Sequence, residues 1–126
     1  MKFTVDKQEK YCTVTLHNEK LDSTIAPALK SELVTFHAEG VKNVILDLSE
    51  VKYTDSSGLS ALLVGNRIFS EEGGLFVITS PTEHTLKLIK ISQLESVLTI
   101  APSLEEAKDA VFMNEIENDL KSGMNE

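Results

Sequence analysis

The sequence predicts an α/β domain, a mixed β-sheet of four to five strands packed with about four helices, and three observations lead to it. Two short apolar runs rich in β-branched residues, Asn43-Val44-Ile45-Leu46-Asp47-Leu48 and Leu75-Phe76-Val77-Ile78-Thr79, have the character of strands covered on both faces. Between them, Leu59 to Phe69 carries Leu62, Leu63, Val64 and Ile68 without a proline, which predicts a mostly buried helix. A buried strand, a helix and a further buried strand require a crossover, so helices pack against a sheet that is mixed once the hairpin at the start of the chain is included.

That hairpin joins Phe3 and Val5 to Tyr11 through His17, with a glycine-free turn in Asp6 to Lys10. In its second strand Cys12, Val14 and Leu16 alternate with Thr13, Thr15 and His17, giving one apolar and one polar face. Cys12 falls on the core side, as a small buried hydrophobe. Asp22-Ser23-Thr24 supplies cap residues before a helix whose stripe is Ile25, Leu29, Leu33 and Phe36, with Pro27 in its first turn and Gly40 at its end. Gly73-Gly74 breaks the chain before the Leu75 to Thr79 strand. Ser80-Pro81-Thr82-Glu83 combines a capping box with proline at the first helical position, Leu86 and Ile89 give the following helix its apolar side, and Val97 to Ile100 form a short last strand. A second capping box, Ser103-Leu104-Glu105-Glu106, opens a helix on which Leu104, Ala107 and Val111 share a face. Beyond Met113 the pattern changes to Glu115, Glu117 and Asp119 alternating with Ile116 and Leu120. The expected organisation is one domain over residues 1–112 and an acidic extension over 113–126, helical or frayed.

A chain of 126 residues buries a conventional core without metals or disulfides. Its single cysteine, Cys12, allows no internal disulfide. A net charge of −8 and a pI near 4.9 disfavour nucleic acid and anionic membranes, which need clustered Lys and Arg. The acidity serves solubility or steers the chain toward a basic patch on a protein partner. Apolar runs fall far short of the ~20 residues that span a bilayer, and no apolar segment follows a basic N-terminus, so a cytoplasmic protein is expected.

The chemistry concentrates at Asp55-Ser56-Ser57-Gly58-Leu59, where the buried strand region hands over to the helix. At a helix N-terminus the first N–H groups lack intrahelical partners, and an oxyanion there is stabilised by roughly 0.3 to 1 kcal/mol. Asp and Ser are also good N-caps, worth ~1 kcal/mol, so the triplet has a purely structural reading. One cap suffices for a helix, however, and Gly58 removes bulk beside the serines, which would let a partner's backbone or nucleotide come close. Ser57, Ser60, Val64, Arg67 and Glu71 follow helical spacing and form the polar face, with Val64 an exposed apolar residue. This strip would extend a docking surface from Ser56, with Arg67 engaging a partner carboxylate.

The pentapeptide resembles the signature of anti-sigma-factor antagonists, bacterial members of the STAS domain family. The likeness extends to the order of Leu21-Asp22 ahead of a helix, the strand Val44 to Leu48, the helix after Gly58, the Gly73-Gly74 break and the strand Leu75 to Thr79, and so covers most of residues 1–112. It implies the same fold, phosphorylation of Ser56 by a partner kinase, and capture by the unmodified form of an anti-sigma factor that is itself a serine kinase. A separate serine phosphatase would restore that form, and ATP would be the kinase's ligand, leaving this domain without a cofactor. By position Asp22 maps onto a family acidic residue near the phosphoacceptor loop, with an N-cap as its structural reading, and Asp55 would position the Ser56 hydroxyl. Ser60 departs from the family, in which glycine is common there, and this would tune the contact surface to a different partner.

Other readings are a STAS scaffold or adaptor subunit in stress signalling or lipid transport, without phosphorylation, and a small-ligand or nucleotide sensor using the same helix end. Catalysis has little in its favour. No glycine lies two positions before Ser56 or Ser57, as a hydrolase nucleophile elbow requires. His17, His37 and His84 lack metal-ligand spacing, and no phosphate-binding glycine fingerprint occurs. An enzyme is not expected.

Overall fold

The computed structural model describes residues 1–124; of the frayed end expected over Lys121 to Glu126, residues 121–124 are helical and Asn125 and Glu126 lie outside the described residues. β1 (Phe3–Lys7) and β2 (Cys12–Leu16) form the hairpin, antiparallel with Val5 opposite Val14. A two-residue strand β3 (Lys20–Leu21) leads to α1 (Ala26–Ala38), β4 (Asn43–Asp47) and a second two-residue strand, β5 (Tyr53–Thr54). Then follow α2 (Ser56–Ser70), β6 (Leu75–Thr79), α3 (Glu83–Ile91), β7 (Thr99–Ala101) and α4 (Leu104–Met124). The main sheet has the order β1-β2-β4-β6-β7, antiparallel only at the hairpin, with Ile45 beside Val77 in the parallel centre. Five strands in a mixed sheet and four helices agree with the pattern read from the sequence.

The alternation of strand side chains divides the core in two. Val14, Leu46, Phe76 and Ile78 face a cluster that includes Leu29 and Leu33 of α1, Leu62 and Phe69 of α2, and Ile89 of α3. Ile45, Val77 and Ala101 face Ala107 and Val111 of α4. Thr13, on the polar side of β2, is buried all the same, flanked in the sheet by Asp6 and Ile45.

Several helix starts differ from the pattern. Asp22 does not cap α1: Ile25 holds that position, and the Asp22 carbonyl accepts the Ile25 and Ala26 N–H groups instead. Pro27 does lie in the first turn. The expected box at Ser80 to Glu83 is not formed. Thr82 is the N-cap of α3, but its hydroxyl donates to the Val51 carbonyl at 2.8 Å, while Ser80 adopts φ 54° and Pro81 precedes the cap. At α4 the box is half realised, since Ser103 Oγ accepts the Glu106 N–H at 3.2 Å.

α4 continues through the acidic segment without a break to Met124. Tertiary contacts explain why. Asn114 and Asn118 both donate to the Gly73 carbonyl, at 3.0 and 2.8 Å, and Gly73 itself sits at φ +81°. The buried Asn43 side chain donates to Glu115 at 2.7 Å and to the Lys10 carbonyl at 2.8 Å, and accepts the Leu75 N–H at 2.9 Å. One amide thus ties the hairpin turn, α4 and β6 together.

Candidate functional site

The Ser56 loop is held on both sides before α2 begins. Glu19 accepts the Lys52 and Tyr53 N–H groups at 2.8 and 3.1 Å, and β3 and β5 pair in parallel with Leu21 beside Thr54. The Leu21 carbonyl then accepts the Asp55 N–H at 3.3 Å. Opposite, the Thr54 and Thr85 hydroxyls meet at 2.8 Å in the interior. This small ladder sets the residues after Leu21 and after Thr54, Asp22 and Asp55, side by side at the carboxyl end of the main sheet. Runs of two residues leave no periodicity, so this pairing was not expected from the sequence.

Asp55 is the N-cap of α2: its backbone is extended, and its Oδ1 accepts the Gly58 N–H at 3.0 Å. Its carboxylate therefore serves the helix start. Among the described residues no hydrogen bond joins it to the Ser56 hydroxyl, so direct positioning of that hydroxyl by Asp55 is not observed. Ser56 is the first residue of α2 and is exposed, whereas Ser57 and Ser60 are half-buried. The serine hydroxyl thus stands in solvent at the positive end of a 15-residue helix.

Gly58 plays a different part from the one expected. It is buried, and an added Cβ would collide with the Leu21 carbonyl and lie 2.8 Å from both Leu21 Cγ and Thr54 Cγ2. The glycine lets the helix start sit against the β3–β5 ladder.

Asp22 closes a tight turn, its carboxylate accepting both the N–H and the hydroxyl of Thr24. Those hydrogen bonds hold its carboxyl below the usual range. α1 packs beside α2, and between them a cleft of about 290 Å³ is lined by Ser23, Pro27 and Lys30 together with Ser56, Ser57 and Ser60. Lys30 is the one charged side chain among the lining residues, and the sequence reading did not single it out. The usable signal was the step of four and three from Ser23 to Pro27 to Lys30, which runs alongside Ser56 and Ser60. Farther along α2, Arg67 is exposed, but Val64 is half-buried rather than exposed.

Among the described residues, no group of His, Cys, Asp and Glu is arranged to hold a metal ion, and no helix is long and apolar enough to cross a membrane. A family model described as the STAS domain matches residues 2–107. A candidate anti-sigma factor antagonist of Bordetella bronchiseptica, BtrV, is 29% identical over 110 residues, which is 87% of this chain and 94% of that protein. The anti-sigma-B factor antagonist of Bacillus subtilis is 26% identical over 101 residues, 80% of this chain and 91% of that one. In structure, a candidate anti-sigma factor antagonist from Thermotoga maritima superposes with a TM-score of 0.77 at 25% identity, over 86% of this chain and 93% of the other.

Proposed function

Because the chain belongs to the STAS domain family, we propose that it is an anti-sigma factor antagonist whose grip on its partner is released by phosphorylation of Ser56. The names of the relatives from Bordetella bronchiseptica and Bacillus subtilis support the class of partner. The observation that carries the switch is the exposed Ser56 at the first position of α2, its neighbour Asp55 already engaged with Gly58. In this reading the domain is a substrate and binding module, located with its partners in the cytoplasm. The partner kinase supplies ATP and the catalytic groups. Ser56 Oγ attacks the γ-phosphorus as the bond to ADP breaks, and the hydroxyl proton passes to a base of the kinase.

The product gains about −1.5 to −2 charge. The positive end of α2 tolerates that charge in the free domain. Within an interface over Ser56 the same group must be desolvated, and a loss of about 2.7 kcal/mol already weakens a complex a hundredfold. Asp22, Asp55, Ser57, Gly58, Ser60, Val64 and Arg67 would make up or support the docking surface, with Lys30 added from the cleft. A serine phosphatase would reset the switch, and capture of the anti-sigma factor would free a sigma factor for transcription.

The test is phosphate transfer from the cognate anti-sigma kinase, followed by titration of both forms against that kinase. One phosphate on the wild type, none on Ser56→Ala, and binding by the unphosphorylated form alone are expected. Equal affinity of the two forms would overturn the switch and leave the loop as a docking element of a scaffold.

A further inference from the structure

The far half of α4 is held rigidly, yet its outer side is left apolar. Asn114, Glu115 and Asn118 point into the domain and are hydrogen-bonded there. On the opposite side Met113, Ile116 and Leu120 are 56%, 52% and 62% exposed, and Phe112, 46% exposed, flanks them with its ring edge-to-face with Tyr11 of the same domain. Helical spacing places these four on one stripe, with Glu117 along one border, Asp119 along the other and Asp109 at its upstream end, all exposed. The stripe begins past residue 107, where the match to the family model ends. It is also remote from Ser56. α4 alone covers its face of the sheet, and its far half contacts Asn43 and Gly73 at the amino ends of β4 and β6, whereas Ser56 lies at the carboxyl end beside α1.

Apolar residues presented on a fixed helix favour a helix packed along them. The acidic borders select the occupant. A second copy would bring Glu117 and Asp119 against their own kind, in a chain of net charge −8. We propose that the outer face of residues 112–120 is a second docking surface, for a partner's amphipathic helix that carries Lys or Arg on both sides of its apolar stripe. The anchors are Ile116 and Leu120, with Met113 adapting to the partner's shape, and Glu117 and Asp119 setting orientation. Binding there is independent of the state of Ser56.

Fluorescence anisotropy with the full chain and two synthetic helical peptides tests this, one with a leucine stripe bordered by Lys and Arg, the other bordered by Glu. The basic peptide binds, more weakly as salt rises, and the acidic one does not. Ile116→Gln with Leu120→Gln weakens binding at least about tenfold without lowering the unfolding temperature. Glu117→Lys with Asp119→Lys shifts preference to the acidic peptide, and Ser56→Glu binds as the wild type does. Binding of both peptides or of neither, or a loss with Ser56→Glu, overturns the proposal. So does a concentration-dependent dimer abolished by the glutamine pair, which makes a second copy the occupant, or flotation with phosphatidylcholine vesicles, which makes the stripe a membrane-surface face.

Discussion

The Leu21 carbonyl occupies the space that a side chain on Gly58 would need, so the residue before the Asp22 turn and the third residue of α2 are in direct contact. Gly58→Ala must push α2 away from the β3–β5 ladder. Overpacking of this kind costs about 1 to 3 kcal/mol, to be read by urea unfolding, whereas Ser57→Ala should leave stability nearly unchanged. A Gly58→Ala protein as stable as the wild type would show that the helix start moves freely.

The cleft between α1 and α2 puts Lys30 close to the serines, which makes it a sharper probe of partner docking than Val64. Lys30→Glu and Arg67→Ala should each weaken binding of the anti-sigma kinase roughly tenfold at unchanged unfolding temperature. Val64→Asp mixes two effects, because a charge on a half-buried apolar site also lowers stability by about 1 to 2 kcal/mol.

Thr54 and Thr85 share one buried hydrogen bond at 2.8 Å. Either single change to valine leaves a buried hydroxyl without its partner and should cost about 1 to 3 kcal/mol, while the double change should cost less than the two singles together. Additive losses in that double-mutant cycle would mean that the two hydroxyls are not coupled.

Asn43 joins three segments through one amide, so Asn43→Ala strands the Leu75 N–H, the Lys10 carbonyl and the Glu115 carboxylate at once. A loss of about 2 to 4 kcal/mol is expected. Hydrogen exchange should quicken most over residues 113–124; exchange unaltered there would mean that Asn114 and Asn118 hold the helix by themselves.

Thr24 holds the Asp22 carboxyl below its ordinary value of 3.8 by hydrogen bonds from its hydroxyl and its N–H. A carboxylate whose folded pKa lies below the unfolded one contributes stability that is complete above the unfolded value and lost as pH falls through the folded one. The Asp22 turn should therefore loosen only on the acid side of pH 3.8. In a carboxyl NMR titration Thr24→Ala should raise the Asp22 pKa and Thr24→Ser should preserve it.

The main sheet was legible because Val44 to Leu48 and Leu75 to Thr79 are continuous apolar runs, whose burial on both faces shows in their composition. The β3–β5 ladder was not, since Lys20-Leu21 and Tyr53-Thr54 are too short for any period. Local cap patterns failed where other partners competed: the Thr82 hydroxyl donates to the distant Val51 carbonyl, and the Asp22 carboxylate accepts from Thr24, two residues on, before α1 begins. Asp55-Ser56-Ser57 was recognisable as a helix start. The buried role of Gly58 was not, because it depends on Leu21, 37 positions upstream by the numbering. Lys30 escaped notice for the same reason, its meaning arising only when α1 lies against α2.

The carboxylate next to Ser56 in the chain, Asp55, accepts the Gly58 N–H and so serves the start of α2. Uncatalysed hydrolysis of phosphate monoesters is among the slowest reactions in water. Under the proposed switch, a mark written on this serine would outlast the encounter that made it, and the supply of an outside eraser would dictate how long the domain stays released.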